Sequence, residues 1–590
     1  MGIIGTLKIV SVLGDINAIT SFPSTQKTNS EEAIELLKMS LDSCKLTPLP
    51  FILFYDELTI LLDCTTLQPS IMEWMGMHIG EFELVFLSDL EGGQLAHKGS
   101  PGGLQGELWM NLDGDLSPIC LNILSLAFSS SQQQSSSCLQ ILPAQFQLLS
   151  VVERLTNRGY LGGIDALLGC PLHLPSDKHF NEATWKALTG KQREIICLSI
   201  YYAINWIREL LNAFSTQVGG MVDCVTQATK EETSAKLLKR LRNLVFLERL
   251  LNSLLKIYPL TLPVLHSFVE PPEPAVLSKP NHMKYAGKKS EETKASGNAS
   301  LNSRRKGKKS SMTPDNSDPN GKLRQPTILD ALKRAGVHVS QEVANEGSSG
   351  PPSSGKKLQS EEHKLPDSNM LEPAELSGAA EILDAQRFKF RPLLPHCFNI
   401  LSFAENQDSC CSDPAAELSL HLYLLRDLHF KLNYLSPPSK QLPAACPAKA
   451  LPCPHKLTVT ELLNKIRPQF PCLKKHLDVA ICVIKEGSDA CQEHWNSRSA
   501  SSGNPDIPSL MISKSSVASS VIEEVLCCSS KILNLQELGN RTNMSILRDL
   551  LENFQLINKP DNLFADIQPF HHWEIWIICI VGLMCFLRMS

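Results

Sequence analysis

The sequence predicts an all-α protein, an irregular solenoid of stacked antiparallel helices interrupted by a long disordered linker. Three observations lead there. Apolar residues recur three and four apart through most of the chain, which places them on one face of a helix. No run between Met1 and Val269 sustains the period-two alternation of a half-buried strand. The composition turns polar and basic at Glu270, and helical spacing resumes near Ala379. At 590 residues the chain exceeds what one core serves. Paired helices joined by loops fit an ARM/HEAT-like stack better than a compact bundle, although no clean repeat period stands out.

The strongest element is Thr189–Gln217. Thr189 and Gln192 have the spacing of a capping box. Ile195, Ile196, Ser199, Tyr202, Ala203, Trp206, Ile207, Leu210, Leu211 and Phe214 then give a broad apolar face, opposite Lys191, Arg193, Glu194, Asn205, Arg208 and Glu209. A face this wide requires more than one neighbour.

The other elements follow in order. Met1–Ile19 is densely apolar with no cap, as expected for part of a longer protein. Asn29 and Glu32 have a second capping-box spacing before Ile34, Leu37, Leu41 and Cys44. Pro48 and Pro50 mark a turn over Leu46–Pro50, and helices are predicted over Phe51–Asp63, whose β-branched and aromatic content also suits a strand, and over Ser70–Phe86. Ser88–Gln140, with its Gly, Ser and Gln clusters, reads as an exposed loop. Helices follow at Ala144–Leu155, within Gly159–Pro175, and at Thr233–Tyr258. Behind the linker lie Pro414–Tyr434, two helices in Val459–Ile484 broken at Pro468 and Pro471, then Ile522–Leu533 and Met544–Phe554. The expected organisation is a helical block over 1–269, a disordered linker over 270–375, a second helical block over 376–556 and an atypical tail over 557–590.

The linker has too few large apolar residues to offset its chain entropy. It carries Lys288, Lys289, Arg304, Arg305, Lys306, Lys308 and Lys309, a cluster suited to nuclear import or to sequence-independent contact with DNA phosphates. With a net charge of -5 over the chain, such basicity is local. A short helix is predicted near 327–335, capped by Thr327 and stopped by Gly336. It matches a sliding-clamp-binding box at Gln325 and Ile328 only, because Ala331 and Leu332 stand where aromatics are required; clamp binding is not expected.

No phosphate-cradling glycine loop, nucleophile elbow or standard zinc finger is present. Cys446, Cys453, His455 and Cys472 match no finger spacing. No catalytic residue, metal or cofactor is therefore expected, and the class read from the residues is a scaffold. The 19 cysteines are scattered, and Met1–Ile4 lacks the charged start of a signal peptide, so reduced thiols are expected.

Five segments carry a family resemblance: MGIIGTLKIVSVLG, FILFYDELTILLD, IMEWMGMHIGEF, FQLLSVVERLTNRGYLGGIDALLGCPLHLP and ICLSIYYAINWIRELLNAFSTQ. In that order they resemble the central part of the Fanconi anaemia group D2 family. LRNLVFLERLLNSLLKIYP continues the match, and ELLNKIRPQFPCLKKHLDVAICVIKE and IEEVLCCSSKILNL extend it more faintly. The resemblance implies a nuclear, non-enzymatic α-solenoid of interstrand-crosslink repair. It also implies pairing with the Fanconi anaemia group I protein around double-stranded DNA, and locking there by ubiquitin. The family's ubiquitin-accepting lysine falls upstream of the position matching Met1, so no residue here inherits it. Ser-Gln and Thr-Gln pairs of the damage-kinase type begin at Ser131, Thr216, Thr226 and Ser340, and Ser340, in the linker, is the phosphorylation candidate.

Trp573–Met589 departs from the family. Its uncharged core, Ile575–Leu587, is shorter than the ~20 residues of a membrane span, and unrelated translated sequence accounts for it better than an anchor. Two alternatives to the repair scaffold are a tail-anchored helical adaptor and a general protein-binding solenoid.

Overall fold

The computed structural model describes residues 2–17, 23–90, 103–114, 117–132, 138–219, 225–265, 390–403, 414–435, 458–497 and 506–554. Helix packs on helix along these residues, in the solenoid-like manner expected. The chain opens with α1 (Gly2–Leu13), α2 (Pro23–Cys44), α3 (Pro48–Cys64), α4 (Pro69–Ile79) and α5 (Glu81–Phe86). Helix α1 buries Leu7 and Val10 and leaves Ile4, Ile9 and Val12 exposed. Prolines start three of these helices because the first helical position needs neither a free N–H nor a variable φ. Two readings change for that reason. Helix α2 begins upstream of Asn29, so the Asn29–Glu32 pair lies inside it. The turn expected over Leu46–Pro50 ends at Thr47, and Pro48–Pro50 is already the first turn of α3. Ser70–Phe86 divides into α4 and α5 at Gly80.

Ser88–Gln140 is not simply a loop. It holds β2 (Gly106–Trp109) and β3 (Ile119–Leu121), which join β1 (Leu87–Asp89) and β4 (Leu172–Pro175) in one sheet of order β1-β3-β4-β2. Leu87 pairs with Leu121 and Trp109 with Leu172, both antiparallel, while β3 meets β4 in parallel at Leu121 and Leu172. Strands of three or four residues are too short to display an alternation. Arg240 clasps this sheet from outside it. Its fully buried guanidinium donates to the carbonyls of Leu168 at 2.8 Å, Met110 at 3.1 Å and Cys170 at 2.7 Å. Burial lowers its pKa, yet a guanidinium stays protonated in a protein, so the three carbonyl dipoles carry its solvation.

After β3 come α6 (Ile123–Gln132), α7 (Cys138–Thr156), the short α8 (Ala166–Gly169) ahead of β4, and α9 (Glu182–Ala187). Two long helices follow, α10 (Gly190–Val218) and α11 (Gln227–Ile257), packed along each other. The capping box at the start of α10 forms as predicted: Gln192 N donates to Thr189 Oγ1 at 3.2 Å, and Thr189 N to Gln192 Oε1 at 2.9 Å. Beyond residues 266–389 the chain continues through α12 (Asn399–Phe403), α13 (Pro414–Leu435), α14 (Val459–Ile466), α15 (Phe470–Ser497), α16 (Asp506–Leu533) and α17 (Met544–Asn553). Pro468 sits in a 3-10 turn and Pro471 in the first turn of α15, which accounts for the predicted break.

The described residues on both sides of 266–389 belong to one compact unit. Its larger apolar cluster runs from Phe82 to Leu550 and a smaller one gathers α1–α4. Helix α7 serves both, with Leu139, Leu142 and Phe146 in the larger cluster and Ala144, Leu148 and Val151 in the smaller. From Ile195 onward α10 is buried on nearly all sides, as its wide apolar face requires.

Trp206 lies at the centre of that packing, fully buried, with ring centroids 4.6 Å from Phe146 and 6.0 Å from Phe82. Its indole Nε1–H has no hydrogen-bond partner among the described residues. Trp206→Ala should therefore cost ~3–5 kcal/mol in urea unfolding. Trp206→Phe should cost well under half of that, since no polar contact is lost. Equal losses for the two variants would refute the packing role.

Candidate functional site

The side of α10 read as polar is not a solvent face. Asn205, Arg208 and Glu209 are buried, and only the first turn, with Lys191, reaches water. The sequence hides this because a helix in the middle of a stack has no outward side. Its polar residues must then find partners within the protein.

They find them in the chain that returns after residue 389. Arg391 is fully buried. Its Nε donates to Glu209 of α10 at 2.6 Å, Nη1 and Nη2 both reach Asp56 Oδ1 of α3 at 3.1 Å, and Nη2 donates to Gln147 of α7 at 2.6 Å. Nη1 also donates to the carbonyl of Leu265 at 3.2 Å. Next to Glu209 on α10, Arg208 donates to Glu248 of α11 at 2.5 Å, to Tyr423 of α13 at 3.1 Å and to the Arg391 carbonyl at 3.0 Å. Tyr423 closes the ring by donating to Glu248 at 2.9 Å. The Asp427–Lys431 ion pair of α13 lies beside it, with Lys431 donating to the Leu393 carbonyl at 2.6 Å.

Electrostatics keeps the set charged. Burial alone would lower the pKa of Arg391, but Asp56 and Glu209 raise it above its ordinary value. Arg208 is treated alike by Glu248, with help from Tyr423 and Asp427. Burial pushes the Glu248 carboxyl up, and contact with Arg208 and Tyr423 opposes that rise. The two guanidiniums and three carboxylates are too deep for a substrate to reach. Their chemistry is cohesion: they tie α3, α7, α10, α11 and α13 to the returning chain.

A second buried cluster lies between α13 and α15. His421 and His476 stack with ring centroids 4.1 Å apart, and Phe398 meets His421 edge-on. Neither ring nitrogen of His421 has a partner among the described residues. Burial, then the neighbouring His476, lowers the His421 pKa well below its usual value, and burial lowers that of His476.

The residues singled out from the sequence fall elsewhere. Lys288, Lys289, Arg304, Arg305, Lys306, Lys308, Lys309, Ser340, the helix predicted near 327–335 and Trp573–Met589 all lie outside the described residues, as do Cys446, Cys453 and His455. Cys472 is buried beside His476, and no group of three or more His, Cys, Asp or Glu could hold a metal ion among the described residues. Thr216 is half-buried with its hydroxyl on the Ala213 carbonyl, and Thr226 caps α11. Cys44, Cys120, Cys170, Cys197, Cys397 and Cys528 are free, and burial raises the pKa of each, to about 11 for Cys44 and about 12 for Cys197. No described helix is long and apolar enough to cross a membrane.

The buried charges had a signal that the sequence reading passed over. Asp56, Arg240 and Glu248 each interrupt an apolar stripe at helical spacing: Ile52-Asp56-Ile60, Leu237-Arg240-Leu244 and Leu244-Glu248-Leu251.

Fold and site together define a stack of helices closed by internal charge pairs. The family model described as Fanconi anaemia protein FancD2 nuclease matches residues 1–326. The Fanconi anemia group D2 protein homolog of Mus musculus is 29% identical over 274 residues, which cover 44% of this chain and 18% of that protein. The Fanconi anemia group D2 protein of Gallus gallus is 31% identical over 238 residues, 37% of this chain and 15% of that protein. The homolog of Drosophila melanogaster is 28% identical over 166 residues, 28% and 10% of the two chains. The chain belongs to the Fanconi anaemia group D2 family, and spans less than a fifth of the length of these relatives.

Two outcomes follow from the buried groups. Arg391→Ala strips Asp56 and Glu209 of their guanidinium and should cost ~3–5 kcal/mol in chemical unfolding. Arg391→Lys should recover only part, because one ammonium cannot reach four partners; a loss under ~1 kcal/mol for Arg391→Ala would refute the lock. The second outcome concerns pH. His421 and His476 stay neutral when folded and take protons when unfolded. Their contribution is thus complete above the unfolded pKa of about 6.5 and is lost as pH falls below it. The melting temperature should hold above pH 7 and fall from pH 6.5 to 5, with His421→Phe reducing the fall. A profile unchanged by that substitution would argue against it.

Proposed function

We propose that this chain is a non-enzymatic nuclear scaffold of interstrand-crosslink repair in the Fanconi anaemia pathway. It binds double-stranded DNA together with the Fanconi anaemia group I protein. The observation that carries this reading is the family match over residues 1–326, which takes in the basic cluster as well as the α10–α11 pair. Lys288, Lys289, Arg304, Arg305, Lys306, Lys308 and Lys309 are the contacts proposed for DNA phosphates and for nuclear import, since on a chain of net charge -5 they concentrate positive charge locally. Ser340, followed by Gln341, is the proposed phosphorylation site. Ubiquitin enters through the longer family chains and has no proposed acceptor here.

The test is duplex binding by fluorescence anisotropy across a salt series, with and without the group I protein. Each phosphate contact adds about -0.9 to the slope of log K against log salt. Neutralising Arg304, Arg305, Lys306, Lys308 and Lys309 should flatten that slope by up to about 4.5 and weaken binding alike across sequences. An unchanged slope would remove the linker from the contact, and no binding in either preparation would overturn the DNA-scaffold reading. The same samples with Mg2+ or Mn2+ examine the word nuclease in the family description: intact duplex is expected, and cleavage would overturn the non-enzymatic assignment.

A further inference from the structure

The segment that follows residue 389 lies along α10 as a ligand lies in a groove. Asn205, Arg208 and Asn212 stand at i, i+3 and i+7 on one stripe of α10, a rise of about 10 Å. Arg391–Leu394 runs beside them outside any helix or strand, with Leu394 extended, and four residues can span about 10 Å. The match in length lets each helix side chain read a peptide group. Asn205 Oδ1 accepts from Arg391 N at 2.7 Å, and Arg208 Nη1 donates to the Arg391 carbonyl at 3.0 Å. Asn212 Nδ2 donates to the Pro392 carbonyl at 2.9 Å and its Oδ1 accepts from Leu394 N at 2.8 Å. Between these backbone bonds the Arg391 side chain fills a pocket of two carboxylates, and Phe390 packs against Tyr201 with ring centroids 5.5 Å apart.

Both ends of the chain around 266–389 rest at this one place. Tyr201 donates to the Pro263 carbonyl at 2.8 Å while its ring meets Phe390, and Arg391 donates to the carbonyl of Leu265. The two ends are therefore held side by side by non-covalent bonds.

We propose that α10 is a peptide-docking track whose ligand is the chain's own Phe390–Leu394 segment, a Phe-Arg-Pro-Leu-Leu sequence anchored by its arginine. The segment stays on the track when the covalent link is cut, more weakly than in the continuous chain because the tether's effective concentration is lost.

The full chain, with a Gly/Ser-flanked protease site inserted between Asn320 and Gly321, tests this. After cleavage the two fragments should elute together at the mass of the uncut chain, with a lower melting temperature that rises with protein concentration. Fragments that separate at micromolar concentration would overturn the proposal. Because apolar surface also joins the fragments, a second arm isolates the track. Asn212→Ala removes two of the backbone bonds, and in the cleaved protein it should speed exchange with a fluorescent C-terminal fragment about tenfold or more. Circular dichroism on the uncut variant shows that it folds. Equal exchange rates for cleaved wild type and cleaved Asn212→Ala would overturn the track.

Discussion

Everything near the middle of this structure depends on the guanidinium of Arg391. It is a charge taken fully out of water, which is tolerable only where partners replace hydration on every side. Those partners come from α3, α7 and α10 and from the backbone at Leu265, so four parts of the chain distant in sequence must meet before the charge is satisfied. Apolar packing alone tolerates small slips between helices. A planar fork of donors facing two carboxylates does not. The network thus fixes register, while the surrounding leucines and aromatics supply most of the driving force.

The same division of labour explains why α10 can be buried on nearly every side. Its apolar residues face α6, α7 and α11, and its polar residues face the returning segment and Glu248. Helix α7 plays the corresponding part between the two apolar clusters, one face in each. A stack grows by such two-faced elements, each closing its predecessor and leaving a surface for the next.

Much of the helical architecture is legible in the sequence because it rests on local rules. The capping box at Thr189 and the spacing from Ile195 to Phe214 describe α10 without reference to any other segment. The small sheet is not legible: Leu108 and Trp109 read as loop residues among glycines, and their pairing with His173 and Leu172 is decided more than sixty residues away. The start of α2 was misplaced because Asn29 and Glu32 satisfy a capping rule that Pro23 pre-empts. The charge network was missed for a related reason. An arginine in Phe-Lys-Phe-Arg-Pro looks like a surface residue until the carboxylates across the stack are known. The basic cluster is the reverse case, legible in composition alone, and no geometry was needed to notice it.

Arg240 holds the sheet by collecting the carbonyls of Met110, Leu168 and Cys170 around one cation. Three backbone acceptors converge there because a guanidinium fans its donors in a plane, and no other side chain reproduces that fan. The position has no neighbouring sequence through which it could drift, since a first substitution orphans three buried carbonyls before any second change could cover them. A missense change at this codon would act through the amount of folded protein a cell retains, leaving whatever survives with its surfaces intact.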